Sequence, residues 1–160
     1  MEVAYSFVKE GLPYQQILGD FLLDWLDEKD FVSVNTSGST GTPKSIKIKK
    51  QAMVNSAIAT GNFFKLKPGD SALHCLPTNF IAGKMMLIRA IILGLELDVI
   101  EPTSKLSFDF KKQYSFCAMV PLQLQHILEN YDNIKTIIVG GATVSSVLKD
   151  AIQSIRPNIY

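Results

Sequence analysis

Hydrophobic and polar residues alternate along the chain with two different periods. Within residues 14–29, apolar side chains recur at i, i+3, i+4 and i+7 from Leu18, which predicts an amphipathic helix. Residues 45–49 alternate isoleucine and lysine, the pattern of a half-buried strand. The first part of the chain is therefore predicted to form a helix over 14–29, a strand over 31–34, a loop over 35–44, a strand over 45–49 and a helix over 51–64.

From residue 72 onward, short apolar runs alternate with segments of helical spacing. Short strands separated by helices predict βαβ units, and hence an α/β fold with a largely parallel sheet flanked by helices. We expect a single domain over residues 1–160. Residues 158–160 resemble the start of another strand, so we also expect the chain to be part of a longer protein. The predicted strands are 72–76, 97–100, 116–120 and 136–139, and the predicted helices are 83–93, 108–113, 122–130 and 144–155.

Composition and charge exclude some classes of protein. The 160 residues are 47% hydrophobic and 19% charged with a net charge of +1, which is typical of a globular domain and does not favour a nucleic-acid partner. Charged residues interrupt the apolar stretch 85–100, so we expect no membrane span. The chain has no signal-peptide pattern, and Cys75 and Cys117 are expected to be buried free thiols; both features favour the cytoplasm.

The loop over residues 35–44 carries the strongest chemical signal. It contains two glycines, five hydroxyl-bearing residues and one lysine, all suited to binding phosphate oxygens. A flexible surface loop is the alternative interpretation. The Walker A motif of P-loop nucleotide hydrolases is a poor match, because Pro43 replaces its second glycine and a strand is predicted to follow where Walker A requires a helix.

The run T-S-G-S-T-G-T-P-K closely resembles the signature loop of the adenylate-forming superfamily, which includes acyl- and aryl-CoA ligases, luciferases and peptide-synthetase adenylation domains. Ser45 departs from the family pattern, in which glycine is usual. The resemblance implies that this chain is part of the large N-terminal domain of such an enzyme. It also implies that the loop holds the β- and γ-phosphates of ATP through Thr36, Ser37, Gly38, Ser39, Thr40, Gly41 and Lys44.

Two further segments carry the resemblance. The glycine-rich turn after residue 139 is similar to the family's adenine-side turn, which implies that Gly140, Gly141 and Ala142 lie beside the base. The segment 76–83 corresponds to a wall of the acyl pocket. Many relatives have an aromatic–histidine pair where this chain has Asn79 and Phe80.

Segments 76–90 and 120–124 are most similar to the o-succinylbenzoate–CoA ligases of menaquinone biosynthesis. That acid carries a second carboxylate, for which the resemblance makes Lys84 and Arg89 the candidate partners. Phe80 could line a pocket for the aryl group or be a core residue. Arg89 could instead pair with a structural acid or extend to the surface. Gln123 is expected to be exposed. Other aryl- or fatty-acyl-CoA ligases and a non-catalytic nucleotide-binding domain remain alternatives.

The resemblance implies ATP, Mg²⁺ and coenzyme A as ligands, alongside a small carboxylic acid. In the family the Mg²⁺ ligand, the ribose-binding aspartate and the adenylation lysine follow later in the sequence, so no complete catalytic set is expected here. We therefore expect residues 1–160 alone to be inactive.

Overall fold

A parallel sheet and an antiparallel hairpin organise the fold. The computed structural model describes residues 1–35, 45–128, 131–153 and 159–160. The helices are α1 (Glu2–Glu10), α2 (Pro13–Leu26), α3 (Lys50–Phe64), α4 (Ile81–Leu93), α5 (Pro121–Ile127) and α6 (Ser146–Gln153). The strands are β1 (Phe31–Asn35), β2 (Ser45–Lys49), β3 (Ser71–His74), β4 (Glu96–Val99), β5 (Phe116–Met119) and β6 (Ile137–Val139). Within these ranges no helix combines the length and apolar character needed to cross a bilayer.

The parallel sheet has the strand order β4-β3-β5-β6. Leu73 on β3 is in register with Asp98 on β4 and with Cys117 on β5. Helices cover both faces, and β5 and β6 are accordingly continuous apolar runs, whereas β4 alternates charged and apolar residues. One face packs in a core with α5 and α6, and the other, which includes Phe116, packs with α4. Ile159 forms a parallel bridge with Ile137, which extends the sheet beyond β6 as the sequence indicated.

The antiparallel hairpin lies apart from this sheet. β1 and β2 pair from Phe31↔Lys49 to Asn35↔Ser45, and Val32 and Val34 are buried in a core shared with α2, α3 and α4. Residues 36–44 therefore join two strand ends that are register partners. Since a strand follows this loop, the Walker A arrangement of loop and helix is excluded.

The α/β class and the parallel sheet are confirmed, but two element predictions differ from the structure. The helix α1 was not predicted from the sequence, and it packs on α2 where Gly19 allows close approach: a Cβ there would lie 2.8 Å from the Ala4 carbonyl oxygen. The predicted helix over 108–113 is wrong. Asp109 accepts hydrogen bonds from the backbone N–H groups of Lys111 and Lys112, which closes a turn in place of a helix.

Gly83 fixes the position of α4 at its amino end. A Cβ added at Gly83 would lie 2.2 Å from the Pro77 carbonyl oxygen and 2.9 Å from the Thr78 Cα. Both are backbone atoms, which a small side-chain adjustment cannot move. The first turn of α4 can therefore pack on the loop after β3 only if residue 83 has no side chain.

We predict that Gly83→Ala lowers the free energy of unfolding by about 1–3 kcal/mol, because the new methyl group must displace backbone. Gly140→Ala is the matched control: a Cβ there meets no atom within 4 Å, so its effect should stay within about 0.5 kcal/mol. Urea unfolding of both variants measures the difference. Equal stability of the two would contradict the close approach.

Candidate ligand site

The candidate site lies where neighbouring parallel strands end. β3 runs into the loop that begins at Cys75 and leads to α4, β5 into Val120–Pro121 at the start of α5, and β6 into Gly140–Gly141. Ligands of open parallel α/β sheets bind at this edge, because loops there diverge to opposite faces and leave a crevice. The topology thus brings the predicted acyl-wall and adenine-side segments to one edge of the sheet.

The turn after β6 presents exposed backbone. Gly141 has φ of 82°, a left-handed conformation that favours glycine, and its added Cβ would approach only Val120 Cγ1 at 3.5 Å. Gly140 and Ala142 are exposed as well. A flat group can therefore approach this turn without meeting a side chain, which is the geometry that an adenine-side role needs.

The phosphate-binding residues proposed from the sequence, Thr36 to Lys44, lie outside the described residues. The lysines that follow them have different environments. Lys47 and Lys49 are exposed, and Lys47 Nζ lies 4.4 Å from the centroid of the Phe31 ring. Both therefore lie on a solvated strand face.

Lys50 is bound to α2 rather than free for an anion. Its Nζ donates to Asp27 Oδ1 and to the Asp27 backbone oxygen, each at 2.8 Å. Asp27 is also bound by Lys29 at 2.7 Å, and these hydrogen bonds, the one from Lys29 first, hold the pKa of the Asp27 carboxyl well below its usual value. Lys50 thus joins the start of α3 to the end of α2.

Arg89 is one of two half-buried cations on α4, the other being Lys84. Its guanidinium carbon lies 6.0 Å from the centroid of the Phe116 ring, and its Nε donates to Thr60 Oγ1 at 3.3 Å. Nη1 makes a long contact of 3.9 Å with Met86 Sδ. Burial lowers the pKa of Arg89. None of the ion pairs found within the described ranges includes Arg89, so the structural-acid alternative finds no support there.

An aromatic cluster adjoins Arg89. The Phe64 ring lies 5.6 Å from Phe116, 5.0 Å from Tyr160 and 4.8 Å from Phe63. Phe63 and Tyr160 are 68% and 56% exposed, so the cluster reaches from the buried sheet face to the surface. Arg89 itself approaches only the buried Phe116 ring of this cluster.

Lys84 and Phe80 are not brought together with Arg89. Lys84 and Arg89 are five residues apart, which places them about 140° apart around α4. Lys84 Nζ lies 4.3 Å from the centroid of the Phe21 ring on α2, and burial lowers its pKa while the charge of Asp24 opposes that shift. Phe80 precedes α4 and is 42% exposed.

A second buried group, His74, had no signal in the sequence beyond its position in a strand. It is 2% exposed and lines a cavity of about 30 Å³ between α2, the loop after β3 and the end of β4, large enough for one or two waters. Its Nε2 lies 3.1 Å from Thr78 Oγ1, and its Nδ1 has no partner in the part of the chain that is described. Burial lowers the pKa of His74 to about 4.

Gln123 is buried, so the expectation of an exposed side chain is wrong. Its Nε2 donates to the backbone oxygens of Cys75 and Thr103 at 2.8 and 3.0 Å, and its Oε1 accepts from Val120 N–H at 3.1 Å. These bonds join the ends of β3 and β5 and the loop after β4. The sequence did contain a signal for this burial. Gln123 is the third residue of a helix that follows a strand, and a glutamine at this position can cap the start of its own helix.

The two cysteines are buried free thiols, as predicted. Their sulfur atoms lie 3.7 Å apart across β3 and β5. The hydrogen bond with Cys75, together with burial, raises the pKa of the Cys117 thiol, which keeps it protonated and unreactive.

The model of a protein family described as AMP-binding enzyme matches residues 19–160, a range that includes Thr36 to Lys44. The chain belongs to this family. The resemblance drawn from the signature loop is therefore confirmed. The resemblance implied an α/β fold with a largely parallel sheet, and the AMP-binding chain has this fold.

Curated relatives include two kinds of adenylate-forming protein. The AMP-binding chain is 36% identical over 112 residues to the nonribosomal peptide synthetase gliP of Aspergillus fumigatus, an alignment that covers 66% of the chain and 5% of that protein. It is 26% identical over 145 residues to the 2-succinylbenzoate–CoA ligase of Salmonella typhimurium, covering 88% of the chain and 31% of that ligase. The chain thus spans less than a third of either relative.

Solved structures show the same fold. An acyl-CoA synthetase (AMP-forming)/AMP-acid ligase II-like protein from Dyadobacter fermentans matches with a TM-score of 0.84 and 36% identity, covering 98% of the chain and 47% of that structure. A variant of E. coli MenE with bound OSB-AMS matches with a TM-score of 0.63 and 22% identity, covering 76% of the chain and 27% of that structure. At this identity, the similarity to MenE shows a shared fold and nothing more.

The buried His74 predicts a specific loss of stability in weak acid. Its pKa is about 4 when folded and 6.5 in the unfolded chain, so the unfolded state binds more protons between these values. Stability is therefore full above pH 6.5 and falls as the pH is lowered, by about 2 kcal/mol between pH 7.5 and 5. His74→Gln should remove this part of the pH dependence of the unfolding free energy.

The matched control for that measurement is His126→Gln, since His126 is exposed on α5. This variant should keep the wild-type dependence on pH. If His74→Gln and wild type lose stability in parallel from pH 7.5 to 5, the buried neutral state of His74 is refuted.

Proposed function

We propose that the protein to which this chain belongs is an ATP-dependent carboxylate–CoA ligase. The observation that carries the proposal is the AMP-binding family match over residues 19–160, which includes the signature residues Thr36 to Lys44. In such a reaction a carboxylate oxygen attacks the α-phosphate of ATP, pyrophosphate leaves, and an acyl-AMP forms. A thiol of coenzyme A then attacks the acyl carbon and AMP leaves.

The signature loop would act on the leaving group. We assign Thr36, Ser37, Gly38, Ser39, Thr40, Gly41 and Lys44 to the β- and γ-phosphates. Hydroxyl and N–H donors with a lysine would stabilise the negative charge that grows on pyrophosphate in the transition state. A carboxylate needs no general base to attack, so positioning and charge stabilisation supply the catalysis.

Adenine would lie against the turn after β6. Gly140 leaves open space where other residues carry a Cβ, and Gly141 and Ala142 expose backbone beside it. We therefore propose Gly140, Gly141 and Ala142 as the adenine-side residues. An ATP- and CoA-dependent reaction would take place in the cytoplasm, where both compounds are available.

We propose o-succinylbenzoate as the acid, in the pathway of menaquinone biosynthesis. Arg89 supports this choice, because it is a half-buried cation beside an aromatic cluster and has no acidic partner among the described residues. Its guanidinium would bind the carboxylate that is not activated, while the rings would contact the aryl frame. Phe80 and Lys84 are weaker candidates, since neither contacts Arg89.

Mg²⁺ is also proposed as a cofactor of this reaction. No group of three or more His, Cys, Asp or Glu side chains converges anywhere in the described ranges. Mg²⁺ commonly takes only one or two protein carboxylates and completes its shell with substrate phosphates and waters, so we assign its ligands to none of the described residues.

ATP–pyrophosphate exchange by the full-length protein tests the activity. We expect exchange with o-succinylbenzoate to exceed exchange with benzoate, octanoate or phenylalanine, and added coenzyme A to yield the thioester. Lys44→Ala should lower exchange by about a hundredfold, because a charged donor to pyrophosphate is lost. Strong exchange with phenylalanine would favour amino-acid activation, as in a peptide synthetase. Exchange with none of the acids would favour a non-catalytic nucleotide-binding domain.

Substitution of the two α4 cations tests the choice of acid. We predict that Arg89→Gln raises the KM for o-succinylbenzoate by about tenfold to a hundredfold, the effect of losing a charged hydrogen-bonded pair. The KM for ATP should not change. Lys84→Gln is the matched control, since Lys84 lies against α2, and should change the KM by less than about threefold. Equal effects of the two variants would refute the specific role of Arg89.

A further inference from the structure

The Thr60 hydroxyl on α3 can only accept a hydrogen bond from Arg89. Its Oγ1 donates to the Ser56 backbone oxygen one turn earlier, at 2.9 Å. A hydroxyl has one hydrogen and two lone pairs, and here the hydrogen is already used. The lone pairs of Thr60 therefore remain for a donor, and Arg89 Nε–H provides one at 3.3 Å.

A hydrogen bond at Nε constrains the whole guanidinium group. The group is planar, so holding the N–H nearest to the side-chain stem sets the plane in which the outer N–H groups lie. Those outer groups have no oxygen partner in the described structure, and Nη1 contacts only Met86 Sδ at 3.9 Å. The Phe116 ring lies beside the group, with its centroid 6.0 Å from the guanidinium carbon. The paired outer N–H groups are thus left for an anion of matching geometry.

The packing of α3 on α4 keeps Thr60 within reach of Arg89. A Cβ added at Gly61, the next residue, would lie 2.6 Å from Leu93 Cδ2. The Leu93 side chain of α4 therefore packs directly on Gly61 of α3, next to Thr60. Because Gly61 and Leu93 set the spacing, the Thr60–Arg89 bond does not have to.

We propose that Thr60 is a positioning residue for Arg89, which it orients for the second anionic group of a dicarboxylic acid. The inference rests on the proposed ligase function and adds a residue that would make the enzyme selective for dicarboxylic acids. Without the Thr60 hydroxyl, the guanidinium would keep its charge but lose its fixed plane. Affinity for an acid with two carboxylates would fall, whereas affinity for an acid with one would not.

Steady-state kinetics of the full-length protein with Thr60→Val and Thr60→Ser test the proposal. Valine keeps the branched shape without the hydroxyl, and serine keeps the hydroxyl. Thr60→Val should raise the KM for o-succinylbenzoate about threefold to tenfold and leave kcat, the KM for ATP and the KM for benzoate unchanged. Thr60→Ser should behave like wild type. Added to Arg89→Gln, Thr60→Val should have no further effect, because both act through one group.

The outcomes separate this inference from the function on which it rests. If wild type activates o-succinylbenzoate and Thr60→Val leaves its KM unchanged, or raises the KM for benzoate equally, the positioning role is wrong and the ligase function stands. If the double variant is worse than Arg89→Gln alone, Thr60 acts independently of Arg89, which also overturns the proposal. A wild-type protein that activates no carboxylic acid overturns both.

Discussion

The placement of α4 is the constraint on which the candidate site depends. At one end Gly83 lets the helix pack on the Pro77 carbonyl, and near the other Gly61 on α3 receives the side chain of Leu93. The approach at Gly83 is to backbone and is too close for any other residue, whereas the one at Gly61 is to a side chain. The helix is consequently fixed across one face of the parallel sheet, and Arg89 is held over Phe116. The chemistry proposed for Arg89 thus rests on two glycines that would contact no ligand.

The half-buried cations Lys50 and Arg89 have different surroundings. Lys50 is held by two oxygens of Asp27, so its charge serves to join α2 and α3. Arg89 has a hydroxyl, a sulfur and a ring around it, none of which balances its charge. Burying a cation without an anion costs free energy, and a protein tolerates that cost where a ligand supplies the anion. This contrast is why we propose a structural role for Lys50 and a binding role for Arg89.

The periodicity of hydrophobic residues and the signature motif were enough to predict most of the fold. The features that they missed depend on long-range contacts. The alternation of strands and helices predicted the parallel sheet, and Arg89 was found because it interrupts an apolar face. By contrast, Thr60 and Gln123 act through partners far away in the sequence, which no local pattern reveals. The turn at 108–113 depends on Asp109 capping nearby N–H groups, a choice that apolar spacing cannot predict. His74 looked like an ordinary strand residue, because the surroundings that leave its Nδ1 unpaired come from segments distant in the sequence.

The pairing of Asn35 with Ser45 has a consequence for how the signature segment can evolve. Both ends of the segment are fixed at one rung of the β1–β2 ladder. Residues inserted or deleted between them alter the length of a closed loop without shifting the strand register. Even a doubling of that length would add only about 0.6 kcal/mol of closure entropy. A change in the length of this segment therefore costs folding little closure entropy.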